Sequence, residues 1–232
     1  MADNILQATD IGKSFYIPER ISILKKISLE VNQGDTIAIT GRSGQGKSTL
    51  LQILGTLEPA CQGSLSIAGQ IINHFNKSAI RRKHLAFIFQ SFHLLEDYTT
   101  LENVLMPAKI SRQSISKGSP AHKQALELLE EVCLADRANF HSKLLSGGEK
   151  QRVAIARALS NDPSIIFADE PSGNLDQETS IAIHSLLMNF VQKKNKALIV
   201  VTHNAELAAM CKIQYDLHDG QLNLVRHNIA NI

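Results

Sequence analysis

The sequence predicts an α/β fold built around a phosphate-binding loop, and three adjacent features predict it. Asp35-Thr-Ile-Ala-Ile-Thr40 is short and β-branched, the composition of a buried strand. The next residues, Gly41-Arg42-Ser43-Gly44-Gln45-Gly46-Lys47-Ser48, have the pattern G-x-x-x-x-G-K-[ST]. The stretch from Ser48 to Leu57 then places Leu50, Ile53, Leu54 and Leu57 at helical spacing. Strand, glycine loop and helix, in that order, are what a P-loop requires.

The chemistry of the loop follows from its residue types. Gly41, Gly44 and Gly46 allow backbone conformations that side chains forbid. Successive N–H groups can then converge on phosphate oxygens, and the following helix N-terminus adds partial positive charge. Lys47 can reach the β- and γ-phosphates, and the Ser48 hydroxyl can ligate Mg²⁺. Nucleotide binding alone names no function, because P-loops serve kinases, GTPases and motors alike.

Before the loop, residues 5–16 and 21–31 read as strands. Ile27, Leu29 and Val31 alternate with Ser28 and Glu30, as in a half-buried antiparallel strand. Asn32-Gln-Gly34 is a turn. After the loop, Ser64–Ala68 and Ile71-Ile72, separated by Gly69-Gln70, suggest a hairpin. The basic cluster Arg81-Arg82-Lys83-His84 reads as a solvated helix end rather than a nucleic-acid patch. It precedes the apolar strand Leu85–Phe89.

Residues 91–160 read mostly as helices. Ala121–Cys133 is amphipathic through Leu126, Leu128, Leu129 and Val132, and Ser111–Pro120 is a polar loop. Ser146-Gly147-Gly148 opens a helix that runs to about Ser160, with Val153, Ile155, Ala156 and Leu159 available to pack. Ser164–Ala168 and Ala197–Val201 are buried strands on either side of a helix over 178–193. Asp219-Gly220 between two apolar runs signals a closing hairpin. There are no internal repeats and no low-complexity linker.

The whole chain bounds the answer. Its 232 residues suffice for one large domain. At 44% hydrophobic and 20% charged it has an ordinary globular composition. A net charge of +2, from 24 basic and 22 acidic residues, gives no case for nucleic acid. No apolar run of roughly 18 residues exists, so no direct membrane span is expected. Met1–Gln7 lacks the basic start and apolar core of a secretion signal. Cys61, Cys133 and Cys211 are far apart and fit neither a metal site nor a disulfide framework. Buried, reduced thiols in a cytosolic protein are expected.

Further candidate site residues follow the later strands. Ile165-Ile-Phe-Ala-Asp169 is an apolar strand ending in a carboxylate, and in P-loop enzymes such an aspartate helps hold Mg²⁺. Glu170 follows directly and could polarise a water for in-line attack on the γ-phosphate. In Leu145-Ser-Gly-Gly-Glu-Lys-Gln-Arg152, Ser146, Gly147 and Gly148 form a second anion cradle at a helix N-terminus. They also fit a plain helix start, with Ser146 as N-cap and Glu149 completing a capping box; both readings can hold together. Two cradles in one chain leave open whether a single ATP uses both within a chain or across two chains.

Leu145–Arg152 resembles the signature of the ATP-binding-cassette family. The family's other marks stand in order: Gly41–Ser48, Gln90 after an apolar strand, Ile165–Asp169 with Glu170, Gly173-Asn-Leu-Asp176, and His203. The resemblance implies a P-loop NTPase of the ABC type. Its RecA-like core would span about 1–90 and 161–232, with an antiparallel β-subdomain and a helical subdomain over about 91–160. It implies a head-to-tail dimer, with each ATP and its Mg²⁺ between the P-loop of one copy and Ser146–Gly148 of the other.

The resemblance also assigns roles. Arg42, Ser43, Gln45 and Thr49 join the loop's nucleotide contacts, and Lys47 assists catalysis. Ser48, Gln90 and Asp169 hold the metal, and Gln90 signals to a membrane partner. Glu170 is the catalytic base, Asp176 belongs to the loop that crosses between copies, and His203 contacts the γ-phosphate. Phe15 stands where the family usually has a tyrosine stacked on adenine; it keeps the π-face, and Tyr16 is the other candidate.

Within the family, Phe87–Val104 and Ala168–Asp176 resemble the lipoprotein-releasing LolD group, although Ser172 is usually threonine there. This implies an ATPase on the cytoplasmic face of the inner membrane, bound to integral membrane subunits. Phe92, Leu94, Leu95 and Tyr98 would lie where a helix of the membrane subunit docks. MacB-type export ATPases and the FtsE-like division ATPases share much of this wording and stand as alternatives. A DNA-maintenance ATPase is disfavoured because no sustained heptads separate P-loop and signature, and a tandem translation factor because one cassette is present.

Overall fold

The computed structural model describes residues 4–16 and 19–227. Met1–Asp3, at the start of the stretch read against a secretion signal, lie outside them, as do the two ends of the 1–232 domain assignment.

Two sheets carry the fold. The first is antiparallel, in the order β2-β1-β4-β5, from β1 (Asn4–Tyr16), β2 (Arg20–Asn32), β4 (Gln62–Ile67) and β5 (Gln70–Ile71). The alternation in Ile27, Leu29 and Val31 is realised: all three are buried, and Ser28 between them is accessible. The second sheet runs β10-β9-β3-β8-β7-β6. It contains β3 (Thr36–Thr40), β6 (Leu85–Phe89), β7 (Ile165–Asp169), β8 (Ala197–Val201), β9 (Ile213–His218) and β10 (Gln221–His227). All neighbouring pairs in it are parallel except β9–β10, the hairpin at Asp219-Gly220.

Strands buried on both faces read as unbroken apolar runs, and here each face feeds a separate core. Ile165 and Phe167 of β7, with Ile199 and Val201 of β8 and Ile37 and Ile39 of β3, pack toward the antiparallel sheet and helix α1 (Lys47–Leu54). Ile166 and Ala168, with Leu198, Val200 and Ala38, pack against the helices on the opposite side. These include α3 (Thr100–Ile110), α4 (Pro120–Glu131), α5 (Gly147–Leu159) and α6 (Gln177–Lys193). Phe167 is fully buried against the Phe87 ring, with centroids 5.2 Å apart. Truncating it to alanine would cost about 3–5 kcal/mol.

Parallel strands place all their carboxyl ends on one edge of the sheet, where ligands of open α/β folds bind. The P-loop follows β3, Gln90 follows β6, Glu170 follows β7 and His203 lies just after β8. Topology thus collects residues that are far apart in sequence onto one edge.

Several local expectations are corrected. Helix α1 stops at Leu54, because Gly55 closes it with its N–H on Leu51 O, and Leu57 is left exposed. Leu126 points off the apolar face of α4 and is exposed, whereas Leu128, Leu129 and Val132 are buried. Of the cysteines only Cys211 is buried; Cys61 and Cys133 are exposed. Burial pushes the Cys211 thiol up to about 12. The basic cluster does end a helix, α2 (Lys77–His84), but it is not wholly solvated: Arg81 donates to the carbonyl of Thr56 at 2.8 Å.

Candidate nucleotide site

Gly46 caps α1 in the left-handed region, at φ 93°. A Cβ there would also strike Ile23 Cγ2, so both conformation and space demand glycine. Gly44, at φ 80°, has open space around it, and only its backbone angle is demanding. The loop is braced from outside: Gln45 Oε1 accepts from the Asp219 N–H at 2.9 Å, which ties it to the β9–β10 turn. Lys47 curls over the loop, and its Nζ donates to Gly41 O at 2.8 Å and Arg42 O at 3.0 Å. Its charge is therefore held against two of the loop's own carbonyls.

A cleft of about 490 Å³ opens beside the loop. Ser43, Gly44, Gly46, Lys47, Ser48 and Thr49 form one wall, Gln90, Asp169, Glu170 and His203 another, and Phe15 stands at the side. Gly41, Arg42 and Gln45 belong to the loop without lining the cleft. Phe15 carries Lys13 over one ring face, 5.0 Å from the centroid. Lys13 is itself buried and paired with Glu58. Tyr16 is 72% exposed and does not line the cleft, so of the two aromatics only Phe15 is placed to meet a base.

Ser48 Oγ donates to Asp169 Oδ1 at 3.1 Å, across a distance of more than a hundred residues in sequence. Burial raises the Asp169 carboxyl above the usual carboxylate range; the Ser48 hydrogen bond and Lys47 oppose this, and the Glu170 charge adds to it. A half-buried carboxylate beside a hydroxyl, with a carboxamide across the same cleft, is a hard oxygen donor set. It suits Mg²⁺.

Glu170 sits in the left-handed region at φ 46°, and its N–H bonds the carbonyl of Val201 at 2.9 Å. Its carboxylate accepts from Thr202 Oγ1 at 3.2 Å and from the His203 N–H at 3.0 Å, and lies 2.8 Å from His203 Nδ1. Gln90 exchanges hydrogen bonds with Asn174: Gln90 Nε2 donates to Asn174 Oδ1, and Asn174 Nδ2 donates to Gln90 O, both at 3.1 Å. Beyond Gln90, Phe92 and His93 are both left-handed, and Arg157 of α5 donates to their carbonyls at 2.8 and 2.6 Å. Asn174 lay in the Gly173–Asp176 motif without a role assigned to it, and Arg157 had no sequence signal, since each acts through a contact distant along the chain.

The second cradle is elsewhere. Ser146 caps α5 in a complete capping box: Glu149 N donates to Ser146 Oγ at 3.3 Å, and Ser146 N to Glu149 Oε2 at 2.8 Å. That box holds the Glu149 carboxyl below the usual range. The N-terminus of α5 packs on that of α6, so closely that a Cβ on Gly148 would lie 2.6 Å from Thr179 Cγ2. Asp176 caps α6 through the Thr179 N–H at 2.9 Å. None of Ser146, Gly147, Gly148 and Asp176 lines the P-loop cleft. Ser146 and Gly147 are exposed, as is Asp176.

Residues 24–173 match the family described as ABC transporter, and that span holds the P-loop, Gln90, the signature and Glu170 together. The chain belongs to the ABC transporter ATP-binding family. It is an ATPase of that family, and the expected fold and family resemblance are both borne out. It is 59% identical over 218 residues to the lipoprotein-releasing system ATP-binding protein LolD of Protochlamydia amoebophila, covering 94% of this chain and 96% of that one. It is 43% identical over 222 residues to the protein of the same name from Alcanivorax borkumensis, with the same coverage. Among solved structures it is similar to the ATP-binding cassette MJ0796, in a dimeric post-hydrolysis state bound to ADP and Pi. That match has a TM-score of 0.86 and 35% identity, over 96% of this chain and 98% of the other. Among the described residues no helix is long and apolar enough to cross a membrane.

Proposed function

We propose that this ABC ATPase powers release of lipoproteins from the inner membrane, acting as a peripheral subunit on the cytoplasmic face and docked to integral membrane subunits. The cargo assignment rests on the relatives that carry the LolD name. The single observation that carries the working cycle is the separation of the two anion cradles. Ser146 and Gly147 are exposed, Gly148 is half-buried, and none of the three lines the P-loop cleft.

Two copies arranged head to tail complete each other. Each ATP would lie between Gly41–Thr49 of one copy and Ser146–Gly148 of its partner, and the dimeric state of the solved relative supports a pairing of copies. Phe15 stacks on the adenine. Ser48 and Asp169 would hold Mg²⁺, with Gln90 close by, and such an ion would supply positive charge against the phosphates. Lys47 exchanges its loop carbonyls for phosphate oxygens. Glu170 orients and deprotonates the attacking water, and His203 contacts the γ-phosphate. Asp176 lies on the loop that crosses to the partner. Loss of the bridging γ-phosphate releases the dimer, and the free-energy difference between closed and open pairs drives the membrane subunits.

A groove of about 530 Å³ between α2, β6, α3 and α5 suits the membrane partner. Arg81, Arg82 and Arg157 give it basic edges, and Phe87, Met106 and Pro107 give it an apolar floor. A short amphipathic helix with acidic residues fits that chemistry. Of the residues first expected at the docking region, Leu95 and Tyr98 are exposed, while Phe92 and Leu94 are partly buried.

The test is purification of this chain with its partners from membranes in mild detergent, then reconstitution in vesicles carrying an acylated lipoprotein. ATP-dependent release is expected. Hydrolysis without release, with a division-site protein as the partner, would overturn the cargo assignment and leave the ATPase chemistry standing.

A further inference from the structure

The turn from Glu170 to Asp176 carries the proposed base at one end and a residue of the proposed crossing loop at the other, and the structure anchors it on two sides. On the cleft side the anchor is the Gln90–Asn174 pair. On the far side Ser172 Oγ lies 2.6 Å from Nε2 of His184, a buried residue in the second turn of α6. Inside the turn, Gly173 N donates to Glu170 O at 3.0 Å, Leu175 N to Ser172 O at 3.1 Å, and Ser180 Oγ to Ser172 O at 3.4 Å. Ser172 is thus the residue through which the turn is joined to α6 by both its side chain and its carbonyl.

A histidine buried at 2% exposure in an otherwise apolar stretch of helix needs a polar partner, and Ser172 is that partner. Burial holds the His184 imidazole below its usual pKa, although Glu206 of α7 (Ala205–Met210) opposes this, so the ring is uncharged at neutral pH.

We propose that His184 is a positioning residue for ATP hydrolysis: through Ser172 it fixes the Glu170–Asp176 turn, and so the water-activating carboxylate and the crossing loop together. This rests on the site roles proposed above. His184 does not line the P-loop cleft, so it acts on the rate of the chemical step and not on nucleotide affinity.

The experiment compares His184→Met, Ser172→Ala, the double variant, His184→Gln and Glu170→Gln in the full-length chain. His184→Met fills the space without the hydrogen bond, and His184→Gln can restore a nitrogen near the Nε2 position. The expected result is a roughly tenfold fall in kcat for His184→Met and for Ser172→Ala, with ATP affinity unchanged. The double variant should be no worse than either single one, because both remove the same bond. His184→Gln should recover most of the rate. Wild-type kcat in both single variants, multiplicative losses in the double, or a parallel loss of ATP affinity would overturn the proposal. If His184→Met folds poorly, Ser172→Ala and His184→Gln decide alone. Should Glu170→Gln keep full activity, the site roles fail; if it is inactive while Ser172→Ala and His184→Met are normal, only the positioning role fails.

Discussion

The Glu170 carboxylate and the His203 ring are hydrogen-bonded at 2.8 Å, and the same carboxylate oxygen accepts the His203 backbone N–H at 3.0 Å. The proposed base and the histidine proposed to contact the γ-phosphate are therefore one hydrogen-bonded unit. Their strands β7 and β8 are direct neighbours, and Asp169 is in register with Val201. His203 remains 74% exposed on its side chain, so it can meet a γ-phosphate without moving Glu170 out of place.

Replacement of Glu170 by glutamine tests the base. The amide oxygen can still accept the His203 N–H, and the amide nitrogen can donate to the Thr202 hydroxyl oxygen, so the fold should stand. Hydrolysis should fall by about 10²–10⁴, the usual contribution of a general base. ATP binding should persist, and an ATP-loaded dimer should accumulate on size exclusion. Unchanged steady-state activity would remove Glu170 from that role.

Ser146→Arg tests completion of the site by a second copy. Its position outside the P-loop cleft predicts loss of hydrolysis and of ATP-driven dimers, with nucleotide affinity of the monomer retained. The lost N-cap should also cost about 1 kcal/mol, a fall in Tm of roughly 2–4 °C for a chain of this size. Collapse of monomer affinity would contradict the cross-chain arrangement.

The two aromatics at the end of β1 separate cleanly. Phe15→Ala should weaken ATP binding by roughly 1–3 kcal/mol, about 5- to 150-fold, from lost base stacking. Phe15→Tyr should bind normally. Tyr16→Ala should leave the affinity untouched, because Tyr16 does not line the cleft. Isothermal titration with ATP reads all three.

Asp169 should make the nucleotide-free protein less stable at neutral pH than in mildly acidic buffer. Burial raises its pKa on folding, so between the ordinary and the raised value the folded chain binds more protons than the unfolded one. Stability from this group therefore falls as pH rises through that window, and the penalty is complete above it. Asp169→Asn should raise the Tm of the nucleotide-free chain at neutral pH, with the gain shrinking in acid, while Mg²⁺-dependent ATPase activity is lost. A gain that is the same at every pH would show that the buried charge is not its source.

Much of this molecule was legible locally. The P-loop, the capping box at Ser146 and the buried strands around Asp169 and His203 depend on residue types within a few positions of one another. Glycines, N-cap hydroxyls and apolar runs act over that range. Burial on a helix was less legible: Leu126 and Leu128 look alike in sequence, and only the neighbouring elements decide which one is covered. The cysteines failed for the same reason.

The sequence by itself determined most of the elements, the family and the set of candidate site residues, because each is written in short-range pattern. Only the tertiary structure decided which residues meet. Sheet order brings Ser48 to Asp169 and Glu170 to His203, places Phe15 rather than Tyr16 beside the cleft, and sets His184 against Ser172. It also left Ser146–Gly148 outside that cleft. Such pairings are set by strand order and by the packing of distant elements, and no local pattern encodes either.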